Sequence, residues 1–424
     1  MNSASATAHK AFSTPKQAHL QLAAQLVAAA TRRKSPQLAA QHAVAATRKR
    51  SPQLAAAHAA PATSNFPHHS PYPAMEYFAF QWHITDVCDQ RCEHCYIFSE
   101  GHPKLVEMSW ERCVAVIDTC RKMCERMKRL PYFYITGGDP ILHSRFWEIL
   151  ELLHQQNIPF TIMGNPFHLT PEVCGRLKAL GCRKYQLSID GLRETHDAIR
   201  KPGSFDSTLR AIATIRQAGL HCAIMTTVSG TNLHEIPAIV DLVVEHHVDI
   251  FAFGRYCPTS QAKAISERTH IEPKDYRALL DTLWARYERY RDTDTTFNLK
   301  DHLWTLYLYE KGLFKIPDGL DDDTIYDGCN CANCHITILP TGQVMACRRF
   351  ESPVGRLFGT DSDEVATPIY EIFHGDAENQ YRQHEKMEKC AKCELLRFCR
   401  GCPAVAYGYH HSFFAPDPQC WKEI

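Results

Sequence analysis

The sequence predicts an α/β protein: a partial, parallel (β/α)6 barrel followed by a small cysteine-rich domain organised by metal. Three observations predict it. From residue 76 to about 290, short β-rich runs alternate with amphipathic stretches, the signature of strand–helix units in series. Six such units can be read, short of the eight that close a barrel. From residue 329 to 424 the segments shorten and cysteines crowd together.

The β-rich runs are, in order, EYFAFQWHI, YFYITG, PFTIMGN, KYQLSID, HCAIMTTVS and DIFAFGRY. Between them lie SWERCVAVIDTCRKMCERMKRL, SRFWEILELLHQQ, PEVCGRLKALG, SFDSTLRAIATIRQAG and NLHEIPAIVDLVVEHH, each with apolar residues at helical spacing. Ser109, Thr170 (before Pro171) and Asn232 mark helix starts, and Gly181 and Gly219 mark stops. Residues 291–328 are mixed and polar and read as a bridge. On such barrels the functional groups lie at the C-terminal ends of the strands.

Residues 1–75 stand apart from this pattern. TRRKSPQLAAQHA recurs as TRKRSPQLAAAHA, and a Pro-broken linker follows. A low-complexity, basic, disordered tail is expected there, with a transit peptide or a recognition arm as alternatives. The tail carries eight Lys or Arg and no acid, so the rest of the 424-residue chain has 39 basic against 47 acidic residues, a net −8. Such a body excludes nucleic-acid binding on charge grounds. No apolar run reaches the roughly 18 residues needed to cross a bilayer. The 19 cysteines, odd in number and clustered, argue for a reducing, cytoplasmic setting and for metal rather than disulfides.

The first cysteine group is ITDVCDQRCEHCYIFSEG, with Cys88, Cys92 and Cys95 spaced C-x3-C-x2-C after the first strand. Thiolates so spaced can hold three irons of a cubane and leave the fourth iron open to a ligand. A zinc knuckle completed elsewhere, or unligated thiols, are the alternatives. YITGGDP ends the second strand. Its glycines would let backbone approach a ligand closely, and Asp139 could accept from an ammonium group. LSIDG ends the fourth strand and presents Ser188 and Asp190; HDAIRKPGSFD follows it. Thr227, Ser229, Arg255 and Tyr256 are further polar positions at strand ends, with packing the commoner role. Cys257 reads best as a small buried apolar group, as do Cys113, Cys120, Cys124, Cys174, Cys182 and Cys222.

CDQRCEHCY is similar to the signature of the radical S-adenosylmethionine (SAM) superfamily. The resemblance implies a 4Fe–4S cluster on Cys88, Cys92 and Cys95, with SAM on the open iron and reductively cleaved to a 5′-deoxyadenosyl radical. It further implies SAM contacts from Tyr96, Gly137, Gly138, Asp139, Ser188, Asp190 and Arg200. The C-terminal run CNCANCHITILPTGQVMAC and the spacing C-x2-C-x5-C-x2-C of CAKCELLRFCRGC resemble the SPASM extension, which carries two auxiliary 4Fe–4S clusters. By that analogy one takes Cys329 or Cys331, Cys347 and Cys402, and the other Cys390, Cys393, Cys399 and Cys420. Two departures stand out: only Arg400 and Gly401 separate Cys399 from Cys402, and Cys334 is one thiol too many. A pair of zinc sites is the alternative reading.

The resemblance implies an oxygen-sensitive maturase that crosslinks or oxidises a ribosomally made precursor peptide and draws electrons from a flavodoxin- or ferredoxin-like donor. A formylglycine-generating maturase of the sulfatase type, and a non-catalytic zinc-binding scaffold, are the competing readings.

Overall fold

The computed structural model describes residues 77–98, 105–258, 267–321 and 324–424; the tail expected over residues 1–75 lies outside the described residues. Side-chain alternation builds the barrel wall. On β1 (Tyr77–Thr85), Phe78, Phe80, Trp82 and Ile84 are fully buried against helices, while Ala79, Gln81 and His83 face the lumen. On β2 (Leu130–Gly137), Phe133 and Ile135 take the helix side and Tyr132, Tyr134 and Thr136 the lumen side. β3 (Phe160–Met163), β4 (Cys182–Ser188), β5 (His221–Val228) and β6 (Ile250–Arg255) follow, each parallel to its predecessor.

The connecting helices are α1 (Trp110–Met127), α2 (Phe146–Gln155), α3 (Pro171–Ala179), α4 (Arg193–Ile199), α5 (Ser204–Gln217) and α6 (Ile236–Glu245). Ser109 caps α1, its Oγ accepting the Arg112 N–H at 3.3 Å, and Thr170 caps α3, accepting from Val173 N–H at 3.2 Å. Asn232 does not cap a helix. Its Oδ1 accepts from Ser229 N–H, and its Nδ2 donates to Asp190 O and Thr227 O at 2.7 and 2.8 Å, tying the ends of β4 and β5 together. A short 3-10 turn, Leu233–Glu235, intervenes before α6.

The sheet continues beyond six strands at both edges. β7 (Thr296–Asn298), from the stretch expected as a bridge, adds in parallel to β6. α7 (Pro273–Arg289) precedes it and α8 (Leu303–Glu310) follows, with Trp304 packed among Phe253, Tyr287 and Tyr307. At the other edge β8 (His335–Ile338) adds in parallel to β1, and β9 (Gln343–Met345) and β10 (Pro353–Arg356) follow antiparallel. The strand order is β10-β9-β8-β1-β2-β3-β4-β5-β6-β7. It curls: Arg349, just past β9, donates to the carbonyl of Arg255 on β6. The cysteine-rich extension is thereby built onto the barrel's own sheet. No helix among the described residues is long and apolar enough to cross a membrane.

Candidate cluster sites and the barrel lumen

Cys88, Cys92 and Cys95 sit on the loop leaving β1, all partly buried. Local hydrogen bonds shape the loop around its sulfurs. Gln90 N–H and Asn165 Nδ2 donate to Cys88 Sγ at 3.4 and 3.2 Å, and Ile97 N–H donates to Cys95 Sγ at 3.4 Å. Burial pushes the Cys92 thiol up to about 11, with the Arg200 charge opposing and the neighbouring Cys95 and Cys88 adding to the rise. The other described cysteines either pack in the core or gather in the C-terminal extension. The trio is left without a fourth thiol, the donor set of a cluster with one open iron.

The Gly-Gly-Asp loop is locked to this cysteine loop. Gly138 N–H donates to Thr85 O and Asp139 N–H to Val87 O, both at 2.8 Å. A methyl group added at Gly137 (φ 149°) or Gly138 would overlap Thr85 O or Val87 O. These glycines allow a close approach to the backbone leaving β1. Asp139 beyond them is fully buried, with Oδ2 lacking a hydrogen-bond partner. Burial, reinforced by Asp89, pushes its carboxyl up to about 7. Asp89, Asp139 and His168 bring ligand atoms within 4.8 Å of one another. This acceptor-rich recess beside the cysteine trio suits the ammonium group of an amino-acid-like cofactor such as SAM.

Asp190 and Arg200, singled out separately in the sequence, meet each other. Arg200 Nε donates to Asp190 Oδ2 at 2.7 Å, and Asp190 Oδ1 accepts from Thr227 N–H at 2.8 Å. Burial alone would raise the Asp190 carboxyl, but Arg200, with His94 and the Thr227 N–H, outweighs it and holds it below its ordinary value. Arg200 Nη1 lies 3.8 Å from Cys92 Sγ. A circuit closes through residues that spacing did not flag. Cys92 Sγ reaches Gln90 Oε1 at 3.6 Å, Gln90 Nε2 donates to Ser204 Oγ at 2.9 Å, and Ser204 meets His196 Nε2 at 3.2 Å. His196 Nδ1 then accepts from Asp190 N–H at 3.1 Å. Ser188 faces the lumen at the end of β4. Tyr96 lies by the lumen face of β1, its ring 6.0 Å from that of His83 and under the Arg348 guanidinium at 4.2 Å.

The C-terminal thiols separate into two groups. Cys390, Cys393, Cys399 and Cys420 line one cavity with Leu306, Leu395 and Leu396, and Gly401 N–H donates to Cys399 Sγ at 3.4 Å. Cys329, Cys331, Cys347 and Cys402 form the other. Cys329 and Cys331 share a hydrogen bond, and each acts electrostatically on Cys347, as does Cys402. The short Arg400-Gly401 spacer has left-handed backbone at both residues (φ 61° and 58°). That turn sends Cys399 to one group and Cys402 to the other. Cys334 packs instead against Ile325. Cys257 is buried as expected, but it is not inert packing: its thiol is hydrogen-bonded to Cys402. That bond first, then the Arg349 charge, lowers Cys402 against burial. Arg349 Nη1 lies 3.4 Å from Cys402 Sγ.

Comparisons with known proteins bear on the family and the fold. Residues 82–243 match the radical SAM superfamily and residues 329–394 an iron–sulfur cluster-binding SPASM domain. Similar relatives include the AdoMet-dependent heme synthase of Nitratidesulfovibrio vulgaris, 29% identical over 350 residues, spanning 80% of this chain and 90% of the relative. The mycofactocin maturase MftC of Mycolicibacterium smegmatis is 27% identical over 345 residues, spanning 80% and 81%. Among solved structures, Streptococcus suis SuiB bound to S-adenosylmethionine superposes with a TM-score of 0.60 at 18% identity, covering 81% of this chain and 77% of that one. Native anSMEcpe with bound AdoMet gives 0.63 at 17% identity, covering 81% and 93%.

Proposed function

Starting from a chain that is a radical SAM superfamily enzyme with a C-terminal SPASM domain, we propose that it matures a ribosomally made peptide by oxidative crosslinking or side-chain oxidation. The observation that carries this reading is the position of the Cys329–Cys331–Cys347–Cys402 group. Arg349 touches Cys402 and also reaches Gly254 on the lumen side of β6, so an auxiliary cluster there borders the chamber between the two sites. MftC, by name a maturase, and SuiB, solved with its precursor peptide SuiA, support a peptide as the substrate.

Cys88, Cys92 and Cys95 would hold the SAM-binding cluster, and the two C-terminal groups would hold auxiliary clusters. The bound cluster and SAM together supply a hydrogen-abstracting 5′-deoxyadenosyl radical on reduction by a flavodoxin- or ferredoxin-like donor. The chain's own part is positional. Arg200 holds a charge beside Cys92, Asp190 orients Arg200, and the unpartnered oxygen of Asp139 offers a seat for the SAM ammonium. Auxiliary thiolates bordering the lumen suit removal of an electron from an oxidised substrate.

Relatives named as AdoMet-dependent heme synthase and Fe-coproporphyrin III synthase favour a second substrate, a porphyrin held in the same chamber. The formylglycine reading would need an acidic base near the barrel top; the lumen-facing positions of β1 to β6 carry no Asp or Glu, and the buried acids beside the cysteine loop include Asp139 and Asp190. The zinc-scaffold reading falls with the radical SAM match. The test is anaerobic incubation with SAM, reductant and the peptide encoded beside the gene, read by mass spectrometry. A loss of about two hydrogens supports the proposal. An unmodified peptide alongside intact SAM would count against it.

A further inference from the structure

The lumen contains two cations, Lys184 and Lys300, that neither cluster ligation nor SAM binding uses, beside a third, Arg349, that also serves Cys402. Lys184 projects inward from β4, its Nζ 6.0 Å from the Tyr134 ring centroid. Lys300, just past β7, brings its Nζ to 3.9 Å from Met225 Sδ on β5. A side chain at Gly254 on β6 would meet Met225 at 3.3 Å and Arg349 at 3.8 Å, so Arg349 borders the same space. Three positive groups from the fourth strand, the seventh and the extension thus converge on one chamber.

Among the described residues no acid pairs with Lys184 or Lys300. The lumen-facing positions of β1 to β6 carry Gln, His, Tyr, Thr, Ser and Met but no Asp or Glu. Asp301, the neighbour of Lys300 in the chain, is turned away and spent on Arg255 at 2.9 Å. Lys300 stays open to solvent in the lumen; enclosure by the surrounding strands, then the Arg349 and Lys184 charges, lowers it, with the thiols Cys347 and Cys402 opposing. Burial likewise lowers Lys184. Arg349 is already satisfied by Cys402 Sγ and the Arg255 carbonyl. Lys184 and Lys300 form no ion pair among the described residues, and an arriving anion would relieve their repulsion.

We propose that the lumen is a carboxylate receptor, in which Lys184 and Lys300, backed by Arg349, take an ionised carboxylate of the substrate. The proposal rests on the reading of the lumen as the substrate chamber and deepens it. A carboxylate is the group shared by the two substrate sources, a peptide through its C-terminus or acidic side chains and a porphyrin through its propionates.

The test is equilibrium binding to the anaerobically reconstituted, SAM-loaded enzyme in two arms. One arm compares iron coproporphyrin III with its tetramethyl ester. The other compares the peptide encoded beside the gene with the same peptide methyl-esterified at its carboxyls. Wild type should bind the acid form in at least one arm about tenfold more tightly than the ester, the size of one charge-assisted contact. Lys184→Gln and Lys300→Gln should each erode that ratio, and Lys300→Arg should retain it. Equal binding of acid and ester in both arms would overturn the proposal, as would an undiminished preference in the Lys184→Gln/Lys300→Gln double variant. The wild-type comparison decides even where a variant fails to fold. Acid preference in the porphyrin arm alone, with the peptide unbound in either form, sustains the carboxylate receptor and removes the peptide reading. A peptide bound equally in both forms, with no acid preference in the porphyrin arm, does the reverse.

Discussion

Arg200 and Asp190 form an ion pair of 2.7 Å beside the Cys88–Cys95 loop, with Asp190 wholly buried and Arg200 reaching 3.8 Å from Cys92 Sγ. Removing one member strands the other. Arg200→Gln should destabilise the protein by about 3 kcal/mol, the usual cost of leaving a buried charge unpaired. The Asp190→Asn/Arg200→Gln double variant should recover at least half of that loss, because neither charge is then left alone. Urea unfolding of all four proteins measures the coupling. Additive single-variant costs would show that the pair is energetically idle.

The cysteine trio can be tested by counting iron. Three fully loaded clusters require about twelve irons per chain. Cys88→Ala/Cys92→Ala/Cys95→Ala should lower the reconstituted content by about four and abolish any spectroscopic change on adding SAM, with the auxiliary signals kept. Loss of all iron would mean that the trio organises the fold rather than one cluster.

Gly138→Ala tests whether the second loop holds the first. The added methyl must displace Val87 O, which accepts the Asp139 N–H at 2.8 Å, and Val87 immediately precedes Cys88. A destabilisation of about 2–4 kcal/mol is expected, in the range of overpacked buried sites. Iron at the trio should fall more than iron at the C-terminal groups. Paramagnetic spectra with and without SAM separate the two.

Local features of this molecule were legible in its sequence, and pairings across the fold were not. The alternation YFAFQWHIT dictates which face of β1 is buried, because side chains on a strand alternate with period two. The C-x3-C-x2-C spacing places three thiols in one loop for equally local reasons. Asp190 and Arg200 were each visible as polar residues after β4, yet nothing in the spacing says that they satisfy each other. Cys257 and Cys402 lie far apart in the chain, and β8 meets β1 across most of it. Such contacts depend on how the sheet curls, and one sequence holds no period that encodes curvature. The lumen cations escaped notice for the same reason: Lys184, Lys300 and Arg349 become neighbours only once seven strands are in place.

Glu378 gives a dependence on pH. It is fully buried, and neither carboxylate oxygen has a hydrogen-bond partner. The nearby Arg382 is committed to Ala332 O at 2.6 Å and Phe373 O at 2.8 Å. Burial, only partly opposed by Arg382, raises the carboxyl from 4.5 to about 8. Folding therefore favours the protonated form. The stability it supports is fully present below pH 4.5 and is lost progressively as pH rises towards about 8. Glu378→Gln should flatten that slope and make the protein more stable than wild type at pH 8 by about 1–3 kcal/mol. Urea unfolding between about pH 6 and 8.5, where iron–sulfur sites are spared acid, should show the two curves converging towards the acid side. Parallel curves would place the proton elsewhere.

Arg255 joins the barrel to the auxiliary thiols, and its loss should act on both. Its guanidinium is buried at 1% exposure and donates to Asp301 at 2.9 Å, to both oxygens of Asp417 at 2.6 and 2.8 Å, and to Gln419 at 3.0 Å. Asp417 Oδ2 in turn accepts the Cys402 N–H at 2.7 Å, so the arginine fixes the carboxylate that fixes the cysteine. Arg255→Met keeps much of the volume but abandons two buried carboxylates, at a cost of about 3–5 kcal/mol. Arg255→Lys retains charge without the bidentate fork and should fall between. The positional effect can be separated from the stability loss: at temperatures where Arg255→Lys remains folded, iron at the Cys329–Cys402 group should decline while the SAM response at Cys88, Cys92 and Cys95 persists. If both decline together, Arg255 supports the whole fold and has no particular hold on Cys402.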